Sequence, residues 1–238
     1  MKYCFWIALL LITTSVFAQN LQLHNDFRHS IDPDNNSRDY TTLSFETFRL
    51  ESYGSMFMKM DVDFKGAHNN PGNLFTQISH TFKFWDFPAF LHLEYSGGLG
   101  VDSKSGYGYA IDNAYMVGAA YPFQLGNAWW STYLVYRYNN FTQGSHDLQY
   151  SLYWGQNFLR NKISLLGHLV LWTENKDHGD PWTAGQTGKK LLFLSEPQIW
   201  YNINKLLAIG TEIKLFYHVY SYSDGWLVYP TLAIKYNY

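Results

Sequence analysis

The sequence has little charge, a single cysteine and no long apolar run beyond its first twenty residues. Of 238 residues, 17 are Lys or Arg and 19 are Asp or Glu, so 15% are charged, against roughly 25% in a typical soluble domain. With no basic excess to neutralise phosphates, a nucleic-acid partner is not expected. The mean hydropathy is −0.26, and no later run approaches the ~18 apolar residues of a spanning helix, which excludes a multi-spanning helical membrane protein. In place of charge stand 20 Tyr, 17 Phe and 9 Trp, 19% of the chain. That much apolar area excludes disorder. What is left is one β-rich domain with an unusual surface.

Residues 1–18 read as a signal peptide. Met1 and Lys2 give a positive start, Phe5–Ile12 an apolar core, and Val16 and Ala18 the small residues that precede cleavage before Gln19. Cys4 lies at the start of the apolar core, away from the cleavage point, so no lipoprotein is implied. Removing 18 of the 238 residues leaves 220 without cysteine. An exported domain with no disulfide must be held by packing or by a closed hydrogen-bond ladder.

The rest, 19–238, alternates with period two almost throughout. Met56, Met58, Met60, Val62 and Phe64 fall on one face, and Phe57, Lys59, Asp61, Asp63 and Lys65 on the other. Phe87, Ala89, Leu91, Leu93 and Tyr95 alternate in the same way with Phe90, His92, Glu94 and Ser96. Turn residues divide the chain into twelve strands near 20–28, 40–51, 55–65, 73–85, 87–97, 111–122, 128–138, 145–154, 161–174, 190–201, 206–218 and 226–238. No convincing helical spacing follows the leader. Short turns, such as the one at Asp86, alternate with longer loops, the arrangement of an outer-membrane barrel.

A soluble barrel or sandwich also alternates, with its apolar face inward. Three features favour the inverted arrangement. Aromatics bracket aliphatics on the apolar face, as in Phe87 to Tyr95 and Tyr115–Val117–Ala119–Tyr121, which matches a lipid-facing band between aromatic girdles. The chain also ends Leu232, Ile234, Tyr236, Tyr238, resembling the C-terminal signal read by the barrel-assembly machinery. Twelve strands, finally, exceed what lipocalin-type barrels use. The expectation is therefore an all-β, transmembrane antiparallel barrel of about twelve strands, in contact with lipid of the bacterial outer membrane.

Thr42–Phe48, Tyr53–Phe57 and Asp61–Phe64 resemble the N-terminal pattern of Tsx-like nucleoside-channel barrels. Leu93–Gly98, Leu171–Asp177, Leu194–Gln198 and Pro230–Tyr236 resemble the DUF5020 outer-membrane proteins of Bacteroidota, over essentially the whole mature chain. The resemblance implies a monomeric twelve-stranded barrel with a narrow pore and aromatic-lined sites. It assigns no individual nucleoside contact.

Twelve strands lie between filled small barrels and open sixteen-stranded porins, so a narrow lumen is expected. The residues expected to line it are Glu46, Phe57, Lys59, Asp61, Asp63, Phe90, His92, Glu94, Arg137, Asp147, Tyr153, Trp172, Glu174, Glu196, Gln198, Trp200, Glu212 and Lys214. His80 and His168 are read as further lumen residues. Both signs of charge are present, so no ring of one sign selects ions. Aromatic faces beside hydrogen-bonding groups suit a small polar solute such as a nucleoside. The alternative is a filled barrel with a structural or interaction role. A lipid-modifying enzyme fits less well: Ser145 and His146 are adjacent and should point to opposite faces, where no nucleophile–base pair forms. His24, Asp26 and His29 read as a solvated strand end. No metal, cofactor or catalytic residue is assigned.

Overall fold

The computed structural model describes residues 18–102, 105–220 and 223–238. The expected leader lies outside them except for Ala18, where the first strand begins. The strands are β1 (Ala18–Asp26), β2 (Tyr40–Glu51), β3 (Gly54–Asp63), β4 (Asn73–Phe82), β5 (Phe90–Val101), β6 (Gly108–Leu125), β7 (Ala128–Asn139), β8 (Ser145–Phe158), β9 (Ile163–Asn175), β10 (Lys189–Ser195), β11 (Gln198–Asn202), β12 (Leu207–Tyr217) and β13 (Trp226–Asn237). Apart from β10 and β11, which do not pair with each other, each pairs antiparallel with its sequence neighbours, and β1 pairs with β13 from Asn20↔Asn237 to Asp26↔Thr231, which closes the sheet.

β10 and β11 are two halves of one stave between β9 and β12, so the closed barrel has twelve staves. The break falls at Glu196 and Pro197, because proline brings no N–H to the ladder. Register survives it: Ser195 faces Leu169 and Gln198 faces Leu166, three residues on either side. The Glu196 N–H donates to the His168 carbonyl at 3.0 Å and Ile213 N–H to the Pro197 carbonyl at 3.0 Å.

Alternation sets the two faces. Leu93, Val117, Leu134, Leu148, Ile209, Leu232 and Ile234 are exposed on the outside. Outward aromatics gather at both rims. Phe193, Tyr217 and Trp226 pack at 5.2 Å near the long-loop end, and Phe123, Trp130 and Trp154 stack at 6.2–6.3 Å near the short-turn end. Amphipathic rings at two levels around an aliphatic belt are the arrangement that lipid–water boundaries favour.

Two local expectations change. Phe87 and Ala89 lie in the connection 83–89 rather than in a strand; Pro88 cannot donate to the ladder, and β5 starts only at Phe90. After β1 the chain turns into a one-turn helix, α1 (Arg28–Ile31), where a strand end was expected. The Asp26 carboxylate captures the Arg28 backbone N–H at 3.0 Å and starts that turn.

The inner wall is tight where strands carry glycine. A Cβ on Gly210 would sit 2.3 Å from the Ile199 carbonyl oxygen and 2.6 Å from the Trp200 ring. Gly210→Ala should therefore cost about 1–3 kcal/mol through overpacking, read as a lower temperature for conversion of the folded to the unfolded band on gels.

Candidate functional site

The polar face of the alternation turns inward and fills the lumen. At mid-depth Lys59 on β3 places its ammonium 3.1 Å from Glu196 and 3.3 Å from Asp61. The β3 wall and the Glu196 wall are five staves apart, so the Lys59–Glu196 pair crosses the barrel. A second bridge runs from β4 to β8: the Gln77 amide donates to Glu94 at 2.9 Å and to the Tyr153 hydroxyl at 3.3 Å. The Tyr153 ring stacks on His168 at 5.2 Å and meets Tyr133 edge-on at 5.3 Å. His92 joins Glu94 at 2.9 Å, and His168 lies 3.8 Å from Glu196. The two bridges therefore belong to one network.

Gln198 donates to Glu212 at 2.6 Å, and Trp200, on the short-turn side, donates from Nε1 to Gln198 at 2.8 Å. Lys214 lies between Glu212 at 3.8 Å and Asp26 at 3.7 Å. Arg28 of α1 pairs with Asp26 at 2.9 Å, and its guanidinium stands 4.8 Å from the Tyr40 and Tyr229 rings. A separate cluster occupies the opposite wall. Arg137 donates to Gln149 at 2.6 Å and lies 5.3 Å over Trp172; Lys189 pairs with Asp147 at 2.6 Å; Glu174 takes Lys190 at 2.9 Å and Trp172 Nε1 at 3.3 Å.

A pore lined by such groups would leave them wet. Here Trp200 and Asp26 are fully buried, Glu212 is 3% exposed and Gln22 1%. Buried charges persist when paired and hydrogen-bonded, and this network supplies those partners almost throughout. Two of its atoms are left over: Asp61 Oδ1 and His92 Nδ1 are buried without a hydrogen-bond partner among the described residues.

Residues 18–238 match the family model described as Domain of unknown function (DUF5020). The chain belongs to the DUF5020 family. No curated protein matches it. Among solved structures it is similar to LpxR from Salmonella typhimurium, with a TM-score of 0.50 and 10% identity over 92% of this chain and 99% of that one. It also matches a porin with a TM-score of 0.42 and 11% identity over 84% of this chain, spanning 62% of the porin's length. The beta domain of the Bordetella autotransporter BrkA matches with a TM-score of 0.45 and 10% identity, over 94% of this chain and all of that domain. The LpxR likeness is one of fold: this DUF5020 chain is an outer-membrane-type β-barrel.

The DUF5020 lumen holds all eighteen residues that alternation places inward, but it does not join them into one site. Lys59, Asp61, Glu94, His92, Tyr153 and Glu196 form the mid-depth network. Glu212 and Lys214 extend it toward α1, Gln198 and Trp200 toward the short turns, and Glu46 takes the Gln22 amide at 2.9 Å beside it. Asp63 accepts from the Thr42 hydroxyl at 2.7 Å near the long loops. Arg137, Asp147, Trp172 and Glu174 form the separate cluster. Phe57 shares a row with Ser79 and Glu94, and Phe90 sits beneath Lys83 at 5.3 Å near the short turns.

His80 is a correction. It lies on the outer face 3.2 Å from Glu51 and stacked on Phe82 at 4.0 Å, because its neighbours Ser79 and Thr81 are the inward pair of β4. Ser145 is fully buried inside the wall, whereas His146 contacts the outward Tyr136 hydroxyl, so the two make no catalytic pair. His24 spends both ring nitrogens, on Thr231 at 3.1 Å and Gln22 at 2.8 Å, and His29 turns to the Asn36 carbonyl at 2.6 Å. Sequence reasoning missed Gln22, Asp26, Gln77 and Tyr133 as network members. The alternation of Gln22, His24 and Asp26 with Leu21 and Leu23 was the available signal for the first two.

Proposed function

We propose that this DUF5020 barrel lies in the outer membrane, long loops outward and short turns facing the periplasm, and forms a narrow passage for small polar solutes that its own side chains hold shut. The observation that carries this reading is the closure at mid-depth: the Lys59–Glu196 and Gln77–Tyr153 bridges are each side chain to side chain. Such a bridge swings aside by rotamer change without disturbing the ladder. The surroundings fit a flat, hydrogen-bonding solute. Tyr133, Tyr153 and Phe57 offer ring faces, worth roughly 1–3 kcal/mol per stacked base, beside the Gln77 amide and the Glu94 carboxylate. Nucleosides are the first solutes to test. The barrel acts as a single copy, and its last strand, ending at Tyr238, is what the assembly machinery engages.

The dryness of Asp26, Glu212 and Trp200 supports a second reading, a permanently sealed barrel with a structural role. Proteoliposomes separate the two. Those carrying the protein should swell in isotonic nucleoside or sugar faster than empty ones and more slowly than those carrying an open sixteen-stranded porin. Swelling equal to that of empty liposomes would leave the sealed barrel.

A further inference from the structure

We propose that the short-turn mouth of the barrel binds a small oxyanion, a solute bearing a carboxylate or a phosphate, through Lys235. A cavity of about 540 Å³ opens there between the β8–β9 turn, the β11–β12 turn and the end of β13, within the range that small-molecule sites occupy. Its charged lining is all of one sign: Arg160, Lys162, Lys205 and Lys235, with no carboxylate. Elsewhere in the lumen lysines are matched, Lys59 to Glu196 and Asp61, Lys214 to Asp26 and Glu212. These four cations take part in no ion pair among the described residues.

Lys235 is the decisive member. It is 7% exposed, and its ammonium stands 4.0 Å over the fully buried Trp200 ring. No hydrogen bond or ion pair to a protein acceptor holds that ammonium among the described residues, and Lys235 lines the cavity. The carboxylate that attracts it, Glu46, stands two staves away and accepts from Gln22 at 2.9 Å. A lysine this enclosed has few waters to serve its charge, and an entering oxyanion supplies an acceptor while keeping the Trp200 contact.

The rim supplies further donors. Arg160 offers a planar fork matched to two oxygens, presented on a turn where Leu159, Arg160 and Asn161 are all left-handed, with φ of 50°, 55° and 66°. Strain of this kind persists where the surroundings hold it in place. Amides of Asn157 and Asn237 line the same wall. The site stands whether or not the lumen opens, so its test is independent of the passage.

The test is equilibrium dialysis of the detergent-folded protein, its folding verified by the heat-modifiable band, against labelled inorganic phosphate and, separately, labelled acetate at fixed ionic strength. One saturable oxyanion per barrel is expected, displaced by the other oxyanion and not by glucose. Stronger retention of phosphate assigns a phosphorylated solute, stronger retention of acetate a carboxylate, and equal retention the shared chemistry. Lys235→Gln should weaken binding about tenfold or more, the effect of losing one charge-assisted contact. Absence of saturable binding by the unaltered protein overturns the proposal, as does unchanged binding by folded Lys235→Gln. Should that variant give no folded band, Arg160→Gln with Lys205→Gln, both on exposed turns, decides: weaker binding supports the site and unchanged binding overturns it.

Discussion

Replacing Lys59 and Glu196 together by alanine should raise solute flux through the barrel by roughly tenfold or more, since passage through a constriction rises steeply once it wets. The two tips meet at 3.1 Å across the lumen. Their removal frees more than the ~30 Å³ that a water occupies, while no backbone hydrogen bond of the ladder is lost. The single variants should behave differently. Lys59→Ala leaves Glu196 with only His168, at 3.8 Å, and deprives Asp61 of its cation. Both members of the pair are only 11–12% exposed, so solvent screens little, and a broken pair costs about 3–5 kcal/mol. The double variant should recover part of that loss, because no charge is then orphaned. Planar-bilayer conductance reads the first effect and denaturation midpoints in detergent read the second. Conductance of the double variant equal to that of the parent would locate the closure elsewhere.

Arg28→Met should lower stability by about 3–5 kcal/mol, the cost of leaving a buried carboxylate without its main partner. Asp26 is fully buried and holds Arg28 by Nε at 3.1 Å and by the outer guanidinium nitrogen at 2.9 Å. Without Arg28 its one remaining cation is Lys214 at 3.7 Å. The same guanidinium lies against Tyr40 and Tyr229 at 4.8 Å and Tyr220 at 5.8 Å, contacts worth up to about 2 kcal/mol when desolvated. Burial pulls the Arg28 pKa down, but Tyr220, Tyr40 and Asp26 together raise it above its ordinary value, so Arg28 stays charged at any working pH. The loss should therefore not depend on arginine titration. Combining Arg28→Met with Asp26→Asn should restore most of the midpoint. In the single variant, protease should cut the 27–39 connection faster than in the parent.

Alternation made the wall legible: all twelve staves start within three residues of where turn chemistry puts the strands. Legibility failed where one residue overrode the pattern. Pro88 delayed β5, Pro197 split a stave, and Asp26 curled the chain into α1 by capturing the next turn's N–H. Inside the lumen, period two says which residues face one another's space but not which ones meet. Lys59 and Glu196 are 137 residues apart, and their contact depends on how the closed sheet brings opposite staves together. His80 was misplaced for a different reason, since polarity was read ahead of parity. The cationic mouth was hidden because Arg160, Lys162, Lys205 and Lys235 come from three separate segments, none basic by itself.

The ladder between β1 and β13 has a consequence for assembly. Seven residues near the start of the described chain pair with seven near its end, Asn20 with Asn237 through Asp26 with Thr231. Contacts so distant in sequence form late and slowly, because a loop of nearly the whole chain must close first. Until then β1 and β13 each carry a bare row of N–H and C=O groups, a template for pairing with other chains. Removing β13 should therefore yield aggregation-prone material with two open edges instead of a smaller barrel.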